Sequence, residues 1–130
     1  MSGRNVLGGR LEPCGTEPVT GFHRDGCCRP DANRMSTHLV CAVVTAEFLA
    51  HQETIGNDLT TPMPMYGFPG LEPGDRWCVT APNWLRAYED DCAAFVVLAS
   101  TSERALEFVP LEALQELAVD VPADPGRLTD

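Results

Sequence analysis

Residues 37–56 read THLVCAVVTAEFLAHQETIG, and this stretch decides the fold class. Residues 37–44 form an apolar run rich in β-branched side chains, which predicts a buried strand. The good helix formers of residues 46–55 predict a helix directly after it, with Thr45 as the N-cap and Gly56 just beyond the last turn. A strand followed at once by a helix indicates a domain of mixed secondary structure.

The flanking sequence predicts more strands and helices, separated by two long loops rich in glycine and proline. These loops cover residues 3–34 and 57–75. We predict an α+β or mixed α/β fold, with one small sheet and about three helices. The globular domain is expected to span residues 1–118, followed by a flexible tail over residues 119–130. Further strands are predicted at residues 76–81, 95–100 and 105–109, a hairpin loop at 101–104, and further helices at 82–91 and 111–118.

The charge of the chain is acidic and unevenly distributed. Its 130 residues include 9 Arg, no Lys and 19 acidic side chains, which gives a net charge of −10. Residues 1–34 carry five Arg against four acidic residues, whereas residues 35–130 carry four Arg against fifteen. Because affinity for phosphate groups comes mainly from cationic side chains, we expect neither nucleic acid nor an anionic membrane as a partner.

The sequence predicts a cytoplasmic protein. Its first residues lack the apolar stretch of a secretory signal, and its longest apolar run, residues 92–99, is too short to span a membrane. Since cytoplasmic thiols stay reduced, the six cysteines are interpreted first as buried side chains, then as metal ligands or reactive groups, and last as disulfides.

The densest group of chemically capable residues is GFHRDGCC at residues 21–28. A cysteine acts as a nucleophile in its thiolate form, which nearby cations such as Arg24 favour and which Asp25 would oppose. Cys27 and Cys28 are therefore candidate catalytic residues. The alternative is that this stretch is a tight turn in which the two cysteines are simply buried.

The polar residues beside the second loop extend this candidate site. We hypothesise a small-molecule pocket, with thiol chemistry as one option, where the Cys14–Cys28 loop meets the Asp58–Cys78 loop. No nucleotide, zincin or hydrolase motif is present, so the cofactor is left open. The candidate ligand contacts are Cys14, Arg24, Asp25, Asp58, Asp75, Arg76 and Cys78.

Metal binding is an alternative with weaker support in the sequence. Structural zinc sites usually contain short chelating pairs such as Cys-x-x-Cys, and none occurs here. His38 and Cys41 are the nearest approach, but on a strand they would point to opposite faces. We therefore predict no metal, with His38 and Cys41 as alternative ligands, while a disulfide from a first-loop cysteine to Cys78 is sterically allowed.

A third hypothesis is a structural or protein-interaction module. The acidic residues between positions 89 and 124 could face a basic protein, whose identity the sequence does not indicate. The same charge would also serve solubility alone.

Several motifs resemble domain of unknown function family 2237, a family of small bacterial proteins. The resemblance covers about residues 5–118 and carries no activity, cofactor or substrate to transfer. Where members often have a further cysteine, this chain has Thr80, which argues against a mechanism that needs a thiol there. The matching motifs are NVLGG (5–9), LEPC (11–14), GF (21–22), RDGCC (24–28), GNDL (56–59), FPGL (68–71) and PGDRWC (73–78).

Overall fold

A small antiparallel sheet lies at the centre of the fold. A computed structural model describes residues 3–15, 26–29, 37–66 and 68–120. The sheet has three strands in the order β2-β1-β3, namely β1 (His38–Val43), β2 (Arg76–Thr80) and β3 (Phe95–Val96). Three helices accompany it, α1 (Ala46–Thr54), α2 (Ala81–Glu89) and α3 (Leu111–Glu116). The predicted α+β class, with a small single sheet and three helices, is confirmed.

The boundaries of α1 follow from local chemistry. The Thr45 hydroxyl accepts a hydrogen bond from the Phe48 amide at 3.1 Å, which satisfies one of the amides left unpaired at the start of a helix. After the helix ends, Gly56 has a φ of +87°, a conformation that favours glycine.

Within the described ranges, no helix has the length and apolarity needed to span a membrane.

Two strand predictions in the C-terminal third were wrong. Only Phe95–Val96 of the predicted 95–100 strand forms a β-strand, and 3₁₀ turns follow at Leu98–Ser100 and Glu103–Glu107. The Ser102 amide donates to the Leu39 carbonyl of β1, and its hydroxyl accepts from the Arg104 amide, so the chain turns instead of forming a hairpin strand. The burial of the 105–109 segment is helical rather than alternating, because Ala105 and Val109 are buried and the three residues between them are exposed.

The first two residues of the predicted tail are bound to the domain. The Val119 amide donates to the Val96 carbonyl, and the Asp120 carboxylate accepts from the amides of Leu98 and Ala99 at 2.8 and 2.9 Å. The rest of the predicted tail, residues 121–130, lies outside the described residues.

The sheet buries its two faces in two different clusters. Ala42 and Trp77 are register partners on one face, within the main core that also contains Phe48 of α1 and Trp84 of α2. Cys41 and Cys78 are register partners on the other face. That face belongs to a second, smaller cluster, whose buried members are Cys14, Cys28, Cys41, Cys78 and Val97.

The described start of the first loop is organised by Asn5, which is buried. Its side-chain oxygen accepts from the amides of Leu7 and Gly9, and its nitrogen donates to the carbonyls of Arg10 and Ala99. All the hydrogen-bonding capacity of the carboxamide is thus used. Asn5 closes the turn and fixes it to the segment that follows β3.

Candidate functional site

The second cluster consists mainly of two adjacent disulfides. Cys14 is bonded to Cys41 and Cys28 to Cys78, with Cα–Cα distances of 5.6 and 5.2 Å. All four cysteines are at most 2% exposed. The Sγ atoms of Cys14, Cys28 and Cys78 lie within 4.8 Å of one another, so the two disulfides are neighbours.

The sheet supplies one cysteine of each disulfide. Cys41 on β1 is directly opposite Cys78 on β2, and residues opposite each other in an antiparallel pair project to the same face. The loops supply the other cysteine of each pair. Cys14 donates its amide to the Gly26 carbonyl at 2.6 Å, and Cys28 forms an isolated parallel bridge with Thr101, so both loop segments lie against the rest of the fold.

Thr101 connects the cluster to the chain that follows β3. It is completely buried, and its hydroxyl accepts from the Cys41 amide at 3.1 Å while donating to the Val97 carbonyl at 2.9 Å. The Val97 amide in turn donates to the Cys41 carbonyl. The Thr101 side chain therefore satisfies the Cys41 amide and contacts the Val97 carbonyl, although no sequence pattern predicted a role for it.

The interpretation that ranked disulfides last was wrong for most of the cysteines. Four of the six are disulfide-bonded, and the sterically allowed link from the first loop to Cys78 is made by Cys28. These disulfides form because the fold brings two loop cysteines against two cysteines that share one face of the sheet. Cys27 and Cys92 retain thiols, and both are half-buried. The Cys92 thiol donates to the Asp90 carbonyl.

The predicted charged ligand contacts are distributed over several places. Asp58 is exposed and accepts hydrogen bonds from Thr60 and Thr61. These bonds, led by that from the Thr61 hydroxyl, lower the pKa of Asp58 to about 2. Asp75 accepts from the Glu72 amide at 2.9 Å and closes the turn before β2.

Among these charged residues, Arg76 has a position close to the cysteine cluster. It lies two residues before Cys78 on β2, hence on the same face of the sheet, and its Cβ is 3.4 Å from the place that a Cβ on Gly15 would occupy. Arg24 and Asp25 lie outside the described residues.

A small cavity is lined by residues of the second loop and by one cysteine of the cluster, Cys78. It has a volume of about 40 Å³, which is enough for one or two water-sized groups. Asn57 and Leu59, at the start of that loop, and Cys78, just after its end, are among the lining residues. His38, the alternative metal ligand, also lines this cavity. Within the described residues, it does not belong to the group of potential metal ligands formed by Cys14, Cys28 and Cys78. The remaining lining residues are Trp77, Val79 and Thr80.

A polar chain leads from this cavity to the surface of the two long helices. Asn57 donates to the Gln52 side-chain oxygen at 2.8 Å, and the Gln52 nitrogen lies 3.2 Å from Nδ1 of His51. The other ring nitrogen of His51 is 2.8 Å from the Asp90 carboxylate. The His51 side chain is only 9% exposed.

A larger open cavity lies on the acidic side of the protein. Its volume is about 520 Å³, and its lining residues include Tyr88, Glu89, Asp91 and Glu116. The Tyr88 hydroxyl donates to the Glu116 carboxylate at 2.6 Å, and this bond raises the pKa of Tyr88. The cavity falls within the acidic region that the interaction hypothesis named.

The fold and this site define a small α+β protein built around a buried cluster of four cysteines. The chain belongs to the family described as an uncharacterized protein conserved in bacteria (DUF2237), whose model matches residues 4–118. The resemblance read from the loop motifs is thereby confirmed. A search of curated proteins finds no match.

Proposed function

We propose that this protein performs thiol–disulfide exchange with a small thiol at the Cys28–Cys78 disulfide. The single observation that carries the proposal is that Cys78 belongs both to a buried disulfide and to the wall of the cavity next to it. A buried disulfide without an approach route is inert until the protein opens, whereas a cavity at one of its residues offers a route in the native state.

The reaction is a two-step exchange. The thiolate of the ligand attacks Sγ of Cys78, a bond forms between these sulfur atoms, and Cys28 leaves as a thiolate. A second ligand thiolate then attacks the ligand sulfur of this mixed disulfide and releases Cys78. Two ligand thiols are oxidised to one ligand disulfide, while Cys28 and Cys78 each gain one electron and one proton.

The size of the cavity restricts the ligand. A cavity of about 40 Å³ favours a narrow, unbranched thiol end over a bulky one. The ligand is therefore a low-molecular-weight thiol that inserts an unbranched –CH₂–SH end. His38 and Asn57 supply polar groups in the cavity wall.

Cys27 has a separate role in this proposal. It is half-buried, next to Cys28 and two residues before Arg29, so its thiol is the more accessible of this adjacent pair. Arg29 is a cation two positions along the chain, and a cation near a cysteine favours its thiolate. Cys27 is the residue that attacks an external disulfide, forming a mixed disulfide and releasing one ligand thiolate. We further propose a cytoplasmic location, where low-molecular-weight thiols are abundant.

The experiment compares the two disulfides in the folded protein. In the variant Cys14→Ser/Cys41→Ser the Cys28–Cys78 disulfide remains, and in Cys28→Ser/Cys78→Ser the other one remains. Reduction by 2-mercaptoethanol is followed by alkylation and mass spectrometry. We expect Cys28–Cys78 to react at least about tenfold faster, because the cavity borders this disulfide.

A cavity-filling variant supplies the matched test. Leu59→Phe, in the cavity wall, should slow the reduction of Cys28–Cys78, whereas Met63→Phe on the exposed part of the loop should not. Equal rates for both disulfides, set by global unfolding and unaffected by Leu59→Phe, would contradict the proposal.

The second candidate function is a non-catalytic interaction module. It is favoured by the acidic cavity beside Tyr88, where Glu89, Asp91 and Glu116 are exposed. A basic peptide should bind there with an affinity that falls as salt is raised, because exposed charges are screened. Binding that survives a Glu89→Gln/Asp91→Asn variant unchanged would argue against this surface.

A further inference from the structure

We propose that the four cysteines of the cluster bind one zinc ion as a tetrathiolate site when both disulfides are reduced. The ligands would be Cys14, Cys28, Cys41 and Cys78. The inference requires that the disulfides can be reduced, but it does not require the exchange with a small thiol proposed above.

The distances between the sulfur atoms suit a tetrahedral zinc site. With Zn–S bonds of about 2.3 Å, tetrahedral geometry places the sulfur atoms about 3.8 Å apart. The Sγ atoms of Cys14, Cys28 and Cys78 already lie within 4.8 Å of one another, and the fourth sulfur, that of Cys41, is bonded to that of Cys14. Reduction lets each bonded pair separate by about 2 Å, a movement that rotation about χ1 provides.

The sheet backbone holds two of the four ligands side by side. Cys41 and Cys78 are fixed opposite each other on two hydrogen-bonded strands. This cross-strand pair takes the place of the Cys-x-x-Cys chelate that structural zinc sites usually contain. The two other ligands come from loop segments, in which small adjustments cost less than in the sheet.

The chemistry of the donors favours zinc over harder cations. Four thiolates form a soft donor set, and zinc is commonly bound by four cysteines in closed structural sites. All four residues are almost fully buried beside Val97, which excludes the waters that Mg²⁺ or Ca²⁺ would keep. The bound site carries a charge of −2, and Arg76, on the same sheet face as Cys78, lies where it can offset part of it.

Reduction of the disulfides and binding of zinc are two separate steps. Two molecules of a dithiol reductant supply four electrons and four protons, which convert two disulfides into four thiols. Zinc then displaces these four protons to solvent without a change in its own oxidation state. Two molecules of an oxidising disulfide accept the four electrons, leave as four thiolates, re-form the two protein disulfides and release the metal.

The experiment uses the full chain, reduced under anaerobic conditions and incubated with zinc or cobalt. We expect one equivalent of zinc by elemental analysis. The cobalt form should show the intense d–d and thiolate-to-metal charge-transfer bands of a tetrahedral four-sulfur site. The disulfide form should bind neither ion.

Variants identify the ligands. Single Ser substitutions at positions 14, 28, 41 and 78 should each weaken zinc binding by more than about 100-fold, beyond the loss that outer-shell changes cause. Cys27→Ser and Cys92→Ser, which change the two cysteines outside the cluster, should bind zinc like the parent chain.

A second readout avoids dependence on variants that fold poorly. Zinc should raise the thermal midpoint of the reduced parent protein and leave that of the oxidised protein unchanged, since only the reduced form offers ligands. Zinc below half an equivalent, or loss of binding in Cys27→Ser or Cys92→Ser, would overturn the proposal. Leu59→Phe separates the two proposals, because it should slow the exchange reaction and leave zinc binding intact.

Discussion

Cys41 and Cys78 face each other across strands β1 and β2, yet each is bonded to a loop cysteine and not to its neighbour. The sheet thus uses two cross-strand cysteines as two separate anchors. Each anchor fixes a segment of the first loop, which contributes no strand to the sheet in the part of the chain that the structure describes.

Removal of either disulfide should destabilise the protein by about 2–4 kcal/mol, because a cross-link reduces the conformational freedom of the unfolded chain. Cys28→Ser/Cys78→Ser should cost slightly more than Cys14→Ser/Cys41→Ser, since the sequence separations are 50 and 27 residues. Urea unfolding without reductant measures both. Cys92→Ser is the control and should change the free energy of unfolding by less than about 0.5 kcal/mol.

In the oxidised protein, Cys27 should form a mixed disulfide with an added small disulfide faster than Cys92 does. Both thiols are half-buried, but Cys27 is followed two positions later by Arg29, whereas Asp90 and Asp91 directly precede Cys92. A nearby cation favours the reactive thiolate. Mass spectrometry of Cys27→Ser and Cys92→Ser resolves the two rates. A faster reaction at Cys92 would remove the proposed role of Cys27.

Gly70→Ala should be more destabilising than Gly74→Ala. Both glycines have positive φ, +84° and +98°, so each substitution carries a conformational cost of about 1–2 kcal/mol. A Cβ at position 70 would additionally collide with the Thr60 carbonyl, whereas one at position 74 would meet open space. Thermal unfolding of both variants tests the difference. Equal losses would show that loop 58–71 adjusts freely.

The stability of the folded protein should contain a pH-dependent contribution from Asp58. Its pKa of about 2 in the folded state lies below the ordinary value of 3.8, so the contribution is complete above pH 3.8 and is lost as the pH falls towards 2. Thr61→Val removes the largest cause and should raise the pKa of Asp58 towards 3.8. Titration of the carboxyl carbon by NMR measures this value directly, and an unchanged pKa would contradict the assignment.

Thr101→Val should destabilise the protein by about 1–3 kcal/mol, although the two side chains have nearly the same shape. The substitution leaves the Cys41 amide without its acceptor and the Val97 carbonyl without the hydroxyl donor. Thr101→Ser is the control, because it keeps the hydroxyl and loses one buried methyl group. Urea unfolding should place serine closer to the parent chain than valine.

The strand and helix of residues 37–56 could be predicted because their signals are local. The Thr45 hydroxyl and Gly56 mark the helix ends through contacts within a few residues. The strand predicted at 105–109 failed for the opposite reason. Its direction depends on Ser102, whose amide bonds to Leu39 some sixty positions earlier, and no local pattern reports such a contact.

The candidate site shows the same division. The composition of the first loop indicated that Cys14 and Cys28 matter, but their partners depend on which sheet face Cys41 and Cys78 share. The role of Thr101 could not be predicted, since an isolated threonine between apolar segments is ordinary in sequence.

The two faces of the sheet resist disruption by different means. The face with Ala42 and Trp77 is stabilised by hydrophobic packing, which does not depend on redox conditions. The face with Cys41 and Cys78 is stabilised by covalent bonds that two-electron chemistry can undo. Under reducing conditions, amide hydrogen exchange should therefore rise in residues 14–15 and 26–29, while the helix-covered face of the sheet keeps its protection.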